Sequence, residues 1–256
     1  MGKVQLIREK GVSIIQFNRP ESYNALDLEA INQLATIIEE VKANDDKLLI
    51  LTGKGKAFSA GGDVSMMATF NDQSLFDELM NRLTELVVSL YTMDKIVISA
   101  VNGSAAGLGL SFALNADYVV ANQEAKFGML FAGIALIPDG GGHFFLKERV
   151  GTHQAKQFIW GLEQIKGEKA KEYGLVDVLT EGDALEAAQG LALKLQATPL
   201  LTLIKSKEIL HKQKLDELKA ILKEEKKGQL FAASTEDHSE GVSAFLEKRQ
   251  ARFQGK

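Results

Sequence analysis

The chain has 256 residues, of which 45% are hydrophobic and 25% charged, and its formal net charge is −4. This composition is ordinary for a globular domain and argues against a nucleic-acid-binding protein, which normally carries a basic face. The absence of cysteine excludes disulfides and a cysteine nucleophile, and the 4 histidines are too scattered to suggest a metal site. The sequence has no signal-peptide pattern and no apolar run of about 20 residues, so we expect a cytoplasmic protein that makes no membrane contact.

The N-terminal part of the chain predicts a hairpin, a helix and a buried strand. Residues 4–7 and 12–17 are apolar segments on either side of a polar turn that contains Gly11, which predicts a β-hairpin. Residues 48–52 form a short apolar strand. Between them, Asp27 offers a cap for a helix with apolar residues at helical spacing, namely Leu28, Ile31, Leu34, Ile38 and Val41.

Two strands in the middle of the chain run directly into loops rich in glycine and alanine. The strand at residues 48–52 leads to residues 57–63, and the strand at residues 96–101 leads to residues 102–109. Glycine permits tight turns and lets a ligand approach the backbone N–H groups closely. The alternation of strands and helices predicts an α/β fold with a mainly parallel sheet. A long amphipathic helix separates the two loops, marked by Leu75, Leu79, Leu83, Leu86 and Leu90.

The C-terminal part of the chain predicts mostly helix, with one short strand at residues 175–179 and only helix signals after residue 200. We therefore divide the chain into an α/β core at residues 1–197 and an all-α region at residues 198–256. Residues 205–227 are rich in lysine and glutamate and predict a solvated helix face, with contact between one or two lysines and phosphates as the alternative. Three further helices are predicted before that stretch, at residues 152–161, 167–173 and 184–196.

The glycine pattern of the second loop, Gly103-x-x-x-Gly107-x-Gly109, is by itself compatible with a dinucleotide-binding turn. Tyr91 and Lys95 also have the spacing of the catalytic pair in short-chain dehydrogenases. In that family, however, the glycine turn lies near the N-terminus and the tyrosine–lysine pair follows much later, whereas here the pair comes first. The order of the motifs therefore disfavours a nicotinamide enzyme.

Four stretches taken together resemble the crotonase superfamily, which is also called the enoyl-CoA hydratase/isomerase family. They are, in chain order, KAFSAGGDVSMM, AVNGSAAGLGLSFALNAD, AKFGMLFAGIALIPDGGG and GLVDVL. The resemblance extends from NRPESYNAL to FLEKRQARF. It implies a spiral of ββα units with a C-terminal helical region that builds homotrimers, often paired into hexamers. It also implies acyl-CoA thioester substrates and no metal or redox cofactor, so that coenzyme A enters only as part of the substrate.

The resemblance further implies an oxyanion hole made of two backbone N–H groups, those of Gly62 and Leu108. Such donors stabilise the negative charge that develops on an enolate oxygen, and one donor is typically worth about 3–4 kcal/mol. For a single loop, the simpler interpretation is that its glycines only make a tight turn. Two such loops in the family's order favour the oxyanion hole.

The sequence departs from the hydratases of the family at both of their glutamate positions, which are Ser111 and Phe131 here. Because water addition needs an acid and a base close to one water, the usual hydratase mechanism is in doubt. Asp139 instead matches the carboxylate of the phenylacetate-degradation isomerases, and this resemblance implies that it is a single base. The alternative is that Asp139 forms a turn or caps a helix that starts near Gly141.

The residues around Asp139 suggest how it could work as a base. A free aspartate has a pKa near ~3.9, but the neighbouring Met129, Phe131 and Ile137 predict an apolar wall that would raise it. Ser111 is expected to bind the substrate or Asp139, or simply to pack. His143 is a candidate second acid, with packing as the alternative.

Coenzyme A contacts are assigned through the resemblance. Asp63 has the alternative of capping a helix that starts near Val64. The CoA-contacting positions implied are Ala25, Leu26, Ser59, Ala60, Asp63, Phe231 and Lys248. From their apolar and aromatic character, an acyl group of the same kind is expected to lie against six residues, with ordinary core packing as the alternative: Met66, Met67, Phe70, Phe76, Met129 and Phe131.

The sequence thus predicts an acyl-CoA isomerase that uses Asp139 and an oxyanion hole at Gly62 and Leu108. One alternative is an enoyl-CoA hydratase with an unusual set of water-activating groups. The other, from a different class, is a catalytically inactive subunit that binds CoA thioesters.

Overall fold

The computed structural model describes residues 2–64, 66 and 72–256. The chain forms two β-sheets with helices packed around them. The predicted hairpin at the N-terminus is confirmed. The strands of the described residues are β1 (Val4–Glu9), β2 (Val12–Phe17), β3 (Leu48–Gly53), β4 (Ala57–Ser59), β5 (Ile96–Val101), β6 (Ser104–Ala106), β7 (Tyr118–Asn122), β8 (Lys126–Gly128), β9 (Ile165–Lys166) and β10 (Val178–Thr180).

The larger sheet has the strand order β1-β2-β3-β5-β7-β10. All of its pairs are parallel except the β1–β2 hairpin, as the alternation of elements predicts. The smaller sheet, in the order β4-β6-β8-β9, consists of strands of only two or three residues that no pattern in the sequence predicts. β10 begins later than predicted, because Leu175 closes the preceding helix with a hydrogen bond from its N–H to the Ala170 carbonyl.

The helices agree with most of the predicted segments. Asp27 caps the first of them, where its side chain accepts a hydrogen bond from Ala30 N at 2.8 Å. The fourth consists of two halves joined at Gly151, whose φ of 75° is not helical. Its second half matches the predicted helix at residues 152–161, whereas its first half, from Gly142, was not predicted. The helices are α1 (Leu28–Ala43), α2 (Gln73–Tyr91), α3 (Leu108–Leu114), α4 (Gly142–Gly161), α5 (Gly167–Glu172), α6 (Ala184–Gln196), α7 (Leu200–Ala233) and α8 (Glu236–Leu246).

The long helix α7 is tied to the α/β core by charged side chains. Lys207 is buried, and its Nζ lies 2.7 Å from Asp117 Oδ2 and 2.8 Å from the Lys95 carbonyl oxygen. Glu225 is buried as well. The predicted solvated face is therefore correct for most of residues 205–227, but not for these two positions. No helix within the described residues is long and apolar enough to span a membrane.

Candidate active site

A cavity of about 390 Å³ opens where the two glycine-rich loops meet. Its walls come from α2, from the segment between β8 and α4, and from α8, which contributes Phe245. Among the described lining residues, only Asp139 and Gln229 have polar side chains. The cavity is therefore apolar, with a carboxyl group and an amide as its only side-chain polar groups in the described structure.

The two loops touch because Gly61 has no side chain. A Cβ atom at Gly61 would lie 2.7 Å from the Ala106 carbonyl oxygen and 3.2 Å from Leu108 N. The φ of Gly61 is +96°, a left-handed conformation that residues with a side chain rarely adopt. This close approach brings the Gly62 and Leu108 segments to the same cavity.

Both segments leave an N–H group available at the cavity. Leu26 pairs with the first loop through Gly61 O and Asp63 N, so the N–H of Gly62 is not used in that bridge. Leu108 is the first residue of α3, where backbone N–H groups lack a partner within the helix. Neither N–H group donates a hydrogen bond within the part of the chain that the structure describes.

Asp139 is the buried carboxyl group of the cavity. Its Oδ2 accepts a hydrogen bond from Gln229 Nε2 at 2.9 Å, whereas its buried Oδ1 has no partner among the described residues. Burial raises the pKa of Asp139 to about 7, because the surroundings disfavour the charged form more than the Gln229 hydrogen bond favours it. The sequence also predicted a raised pKa for Asp139, and the burial of this side chain agrees with that prediction. The arrangement suits a carboxylate that can exchange a proton near neutral pH.

Ser111 holds the backbone of the turn that carries Asp139. Its Oγ donates to the Asp139 carbonyl oxygen at 2.7 Å, and Gly142 N donates to the same oxygen at 3.0 Å. Of the roles considered for Ser111, the structure thus shows a bond to Asp139, made to its main chain. The residue that caps α4 is Gly141, so the alternative of Asp139 as the helix cap is wrong.

Two residues that sequence reasoning missed, Glu225 and Gln229, reach this turn from α7. A signal for them exists in the sequence, because they continue the buried face formed by Leu218, Leu222 and Ala232. Polar residues on an otherwise apolar stripe indicate specific buried partners. Here those partners belong to the Asp139 turn and to the first residues of α4.

His143, the candidate second acid, does not line the cavity. Its Nδ1 lies 2.9 Å from Glu225 Oε1, and its ring is partly exposed. Phe131, by contrast, lines the cavity from the 3-10 turn at Phe131–Ile134, next to the Gly107 backbone. The position at which the resemblance implies a hydratase glutamate thus presents a hydrocarbon ring to the cavity.

The predicted CoA-contacting residues separate into four groups. Ala60 lines the cavity. Ser59 is buried, and its Oγ donates to the Asn24 carbonyl oxygen and accepts from Gly61 N, so it shapes the first loop. Phe231 and Lys248 are exposed and lie outside the cavity.

Two of the three remaining predicted CoA positions, Ala25 and Asp63, are held near the first loop by Arg19. Its guanidinium donates to the Ala25 carbonyl oxygen at 2.7 Å and to Asp63 Oδ2 at 2.9 Å. Leu26 is buried and contributes its backbone to the bridge with Gly62. These contacts fix the loop itself.

The residues predicted to line the acyl pocket lie in different places in the structure. Met66 and Phe131 line the cavity, whereas Phe76 and Met129 are buried in the core and do not line it. Met67 and Phe70 lie outside the described residues.

Comparison with known proteins gives consistent matches over nearly the whole chain. Residues 7–256 match the family described as enoyl-CoA hydratase/isomerase. YhaR of Bacillus subtilis, whose name joins enoyl-CoA hydratase and isomerase, is 41% identical over 251 residues, covering 98% of each chain. The 1,2-epoxyphenylacetyl-CoA isomerase of Escherichia coli is 36% identical over 253 residues, covering 97% of each chain.

A solved structure gives the same result for the fold. An enoyl-CoA hydratase from Mycobacterium avium subsp. paratuberculosis superimposes with a TM-score of 0.90 at 27% identity, covering 99% of each chain. The predicted crotonase fold, a spiral of ββα units followed by C-terminal helices, is thereby confirmed. The names of the relatives include both hydratases and isomerases.

Proposed function

The chain belongs to the enoyl-CoA hydratase/isomerase family, and we propose that its reaction is the isomerisation of an enoyl-CoA thioester with Asp139 as the single base. The observation that carries this proposal is the free Oδ1 of Asp139, buried at the same cavity as the N–H groups of Gly62 and Leu108. Base and oxyanion donors thus share one apolar chamber.

The reaction proceeds through an enolate. The thioester carbonyl oxygen accepts hydrogen bonds from the N–H groups of Gly62 and Leu108, which makes the α-carbon acidic. Asp139 removes a proton from this carbon, so that a C–H bond breaks, an O–H bond forms and a dienolate results. The same proton returns to the γ-carbon, which moves the double bond into conjugation with the carbonyl group and regenerates the Asp139 carboxylate.

The described lining residues of the cavity include no second acid–base group, which supports isomerisation over hydration. Of the lining residues that the structure describes, Asp139 is the only one that can ionise. Ser111 is engaged with the Asp139 carbonyl oxygen, and Phe131 has no polar atom in its side chain. Water addition would need a further group, either to activate the water or to protonate the substrate carbon. The described part of the cavity supplies no such group.

Hydration is the second candidate, and the names of relatives favour it. The 2,3-dehydroadipyl-CoA hydratase of Escherichia coli is 33% identical to the chain over 258 residues. The 1,2-epoxyphenylacetyl-CoA isomerase among the relatives suggests a different isomerisation, in which a ring-epoxide CoA thioester is rearranged in the same cavity.

A paired spectrophotometric assay separates these candidates. One cell holds a 3-enoyl-CoA, in which the conjugated 2-enoyl thioester appears if the protein isomerises it. The other holds a short 2-enoyl-CoA, which is lost to the 3-hydroxy product if the protein hydrates it. Conjugation without hydration supports the proposal, hydration alone contradicts it, and inactivity in both cells favours the inactive CoA-thioester-binding subunit.

We expect kcat/KM for isomerisation to rise with pH and to level off above a pKa of about 7. The base is the ionised form of Asp139, so protonation below this pKa removes it, and the rate falls by about tenfold for each further pH unit. A pH profile of kcat/KM between about pH 5 and 9 measures this fall, which is the acidic limb of the profile. A limb near the ordinary pKa of aspartate, or no limb at all, would argue against a buried base.

We expect a charge at the far end of the acyl chain to reduce turnover. The cavity offers no cationic side chain among its described lining residues, so a terminal carboxylate would lose water without gaining a partner. The matched substrates are 3-hexenoyl-CoA and 3-hexenedioyl-CoA, which differ only at that end. The dioyl substrate should have a kcat/KM at least about tenfold lower, and equal values would place the end of the acyl chain outside this cavity.

The C-terminal region at residues 198–256 is proposed to assemble the protein as a trimer or a dimer of trimers. Exposed apolar side chains on its helices support this, including Phe231 and Leu230 on α7 and Leu246 on α8. Phe231 and Lys248 do not line the cavity of their own chain, and we propose that they contact CoA across a subunit interface.

A further inference from the structure

Helix α7 buries two polar side chains one turn apart, Glu225 and Gln229, which are 2% and 1% exposed. Residues four positions apart lie on the same face of a helix, so both point toward the Asp139 turn. Burying polar groups is costly unless each is hydrogen-bonded. The partners of these two side chains show what they hold.

Gln229 holds both sides of Pro138. Its Oε1 accepts from Ile137 N at 3.3 Å, while its Nε2 donates to Asp139 Oδ2 at 2.9 Å. The Ile137 N–H fixes the orientation of the amide, because only its oxygen can accept that bond. Gln229 therefore occupies one carboxylate oxygen of Asp139 and leaves the other, Oδ1, buried and without a partner among the described residues.

Glu225 holds the backbone immediately after Asp139. Its Oε2 accepts from Gly141 N at 2.8 Å, and its Oε1 accepts from His143 N at 3.1 Å and lies 2.9 Å from His143 Nδ1. A carboxylate that accepts backbone N–H groups at a helix start is a favourable arrangement. It also places a buried negative charge beside the turn that carries Asp139.

We propose that Glu225 and Gln229 are positioning residues for Asp139, with Gln229 selecting the oxygen that faces the substrate and Glu225 fixing the turn and its electrostatic surroundings. The part of this inference that concerns turnover rests on the proposed function. The part that concerns the Asp139 carboxyl group does not.

The two residues act on the Asp139 proton in opposite directions. The Gln229 hydrogen bond favours the carboxylate and lowers the pKa of Asp139, whereas the negative charge of Glu225 disfavours it and raises that pKa. The other titratable group that affects the pKa of Asp139 is His143 on α4, which lowers this pKa when its ring is protonated. Ser111, on α3, faces the turn with a neutral hydroxyl group.

The test follows the Asp139 carboxyl group directly, by carbon NMR of protein labelled at aspartate, with Asp139→Asn to assign the signal. We expect Glu225→Gln to move its titration to lower pH by about half a pH unit or more, and Gln229→Leu to move it to higher pH. Glu224→Gln is the matched control, since it removes the same charge one residue away, from a side chain that is 68% exposed and paired with Lys227. It should leave the titration unchanged.

The pH profile of kcat/KM for isomerisation should move in the same two directions. Glu225→Gln removes a carboxylate oxygen that accepts hydrogen bonds from Gly141 and His143, and this loss could prevent folding. In that case Gln229→Leu keeps the inference testable. A shift toward higher pH in Gln229→Leu supports the inference. An unchanged Asp139 titration in every folded variant of the two residues overturns it, even if activity falls. Failure of the wild-type protein to isomerise would count against the proposed function alone, because the NMR titration needs no turnover.

Discussion

Replacement of Asp139 by asparagine is expected to lower kcat for isomerisation by about 10²–10⁴-fold, the usual contribution of a general base. The amide has nearly the same shape and can still accept the hydrogen bond from Gln229, but it cannot take up a proton. Affinity for a CoA ester should change little, because the oxyanion donors are main-chain groups. Steady-state kinetics for kcat and calorimetric titration with a non-isomerisable acyl-CoA measure the two effects separately.

The stability of the same variant provides its control. The Asp139 carboxyl group has a pKa of 3.8 in the unfolded chain and about 7 in the folded one, so its burial destabilises the folded state increasingly as pH rises through this window. The asparagine amide carries no charge, and the Asp139→Asn variant should therefore be more stable than the wild type at pH 8, by roughly 2–4 kcal/mol. A variant that is both stable and fully active would remove Asp139 from the mechanism.

Replacement of Gly61 by alanine is expected to lower kcat by about 10²–10³-fold, the cost of losing one oxyanion donor. The added Cβ would lie 2.7 Å from the Ala106 carbonyl oxygen, and the φ of +96° disfavours any side chain. The loop that carries Gly62 must therefore move away from Leu108. The two N–H groups should then no longer bind one thioester oxygen together, as the proposed function requires.

Gly190→Ala is the matched control for this change. Gly190 lies in α6, which does not line the cavity, and a Cβ there would meet no atom within 4 Å. This variant should keep its activity and gain a little helix stability, on the order of 1 kcal/mol. Unchanged kcat in Gly61→Ala, with folding verified by circular dichroism, would mean that the contact between the two loops does not shape the oxyanion hole.

The long, periodic elements of this fold could be predicted from the sequence, but the short ones could not. The apolar face of α1 and the capping side chain of Asp27 are local features, and α6 was predicted with its observed bounds. The strands of the second sheet have two or three residues, too few to show an alternating pattern. They exist because their loops pack against one another, which is a tertiary effect.

The same distinction holds for the candidate site, where residues in local motifs could be predicted and residues brought there by tertiary packing could not. Gly62, Leu108 and Asp139 stand in motifs that can be recognised locally, and the structure brings all three to one cavity. Gln229 follows Asp139 by 90 residues, and only the packing of α7 against the turn brings them together. A lysine- and glutamate-rich helix suggests solvent exposure, so the buried partners hidden in it were missed.

The central claim, that one buried carboxylate moves a proton without adding water, has a direct test. The wild-type protein would be incubated with a 3-enoyl-CoA in water enriched in a heavy oxygen isotope. The acyl-CoA products would then be separated and their masses measured by mass spectrometry. The account predicts conversion to the conjugated 2-enoyl-CoA, with no product that carries the heavy oxygen on its acyl chain. A 3-hydroxyacyl-CoA that carries the label, as the main product, would contradict it and show that this cavity activates water.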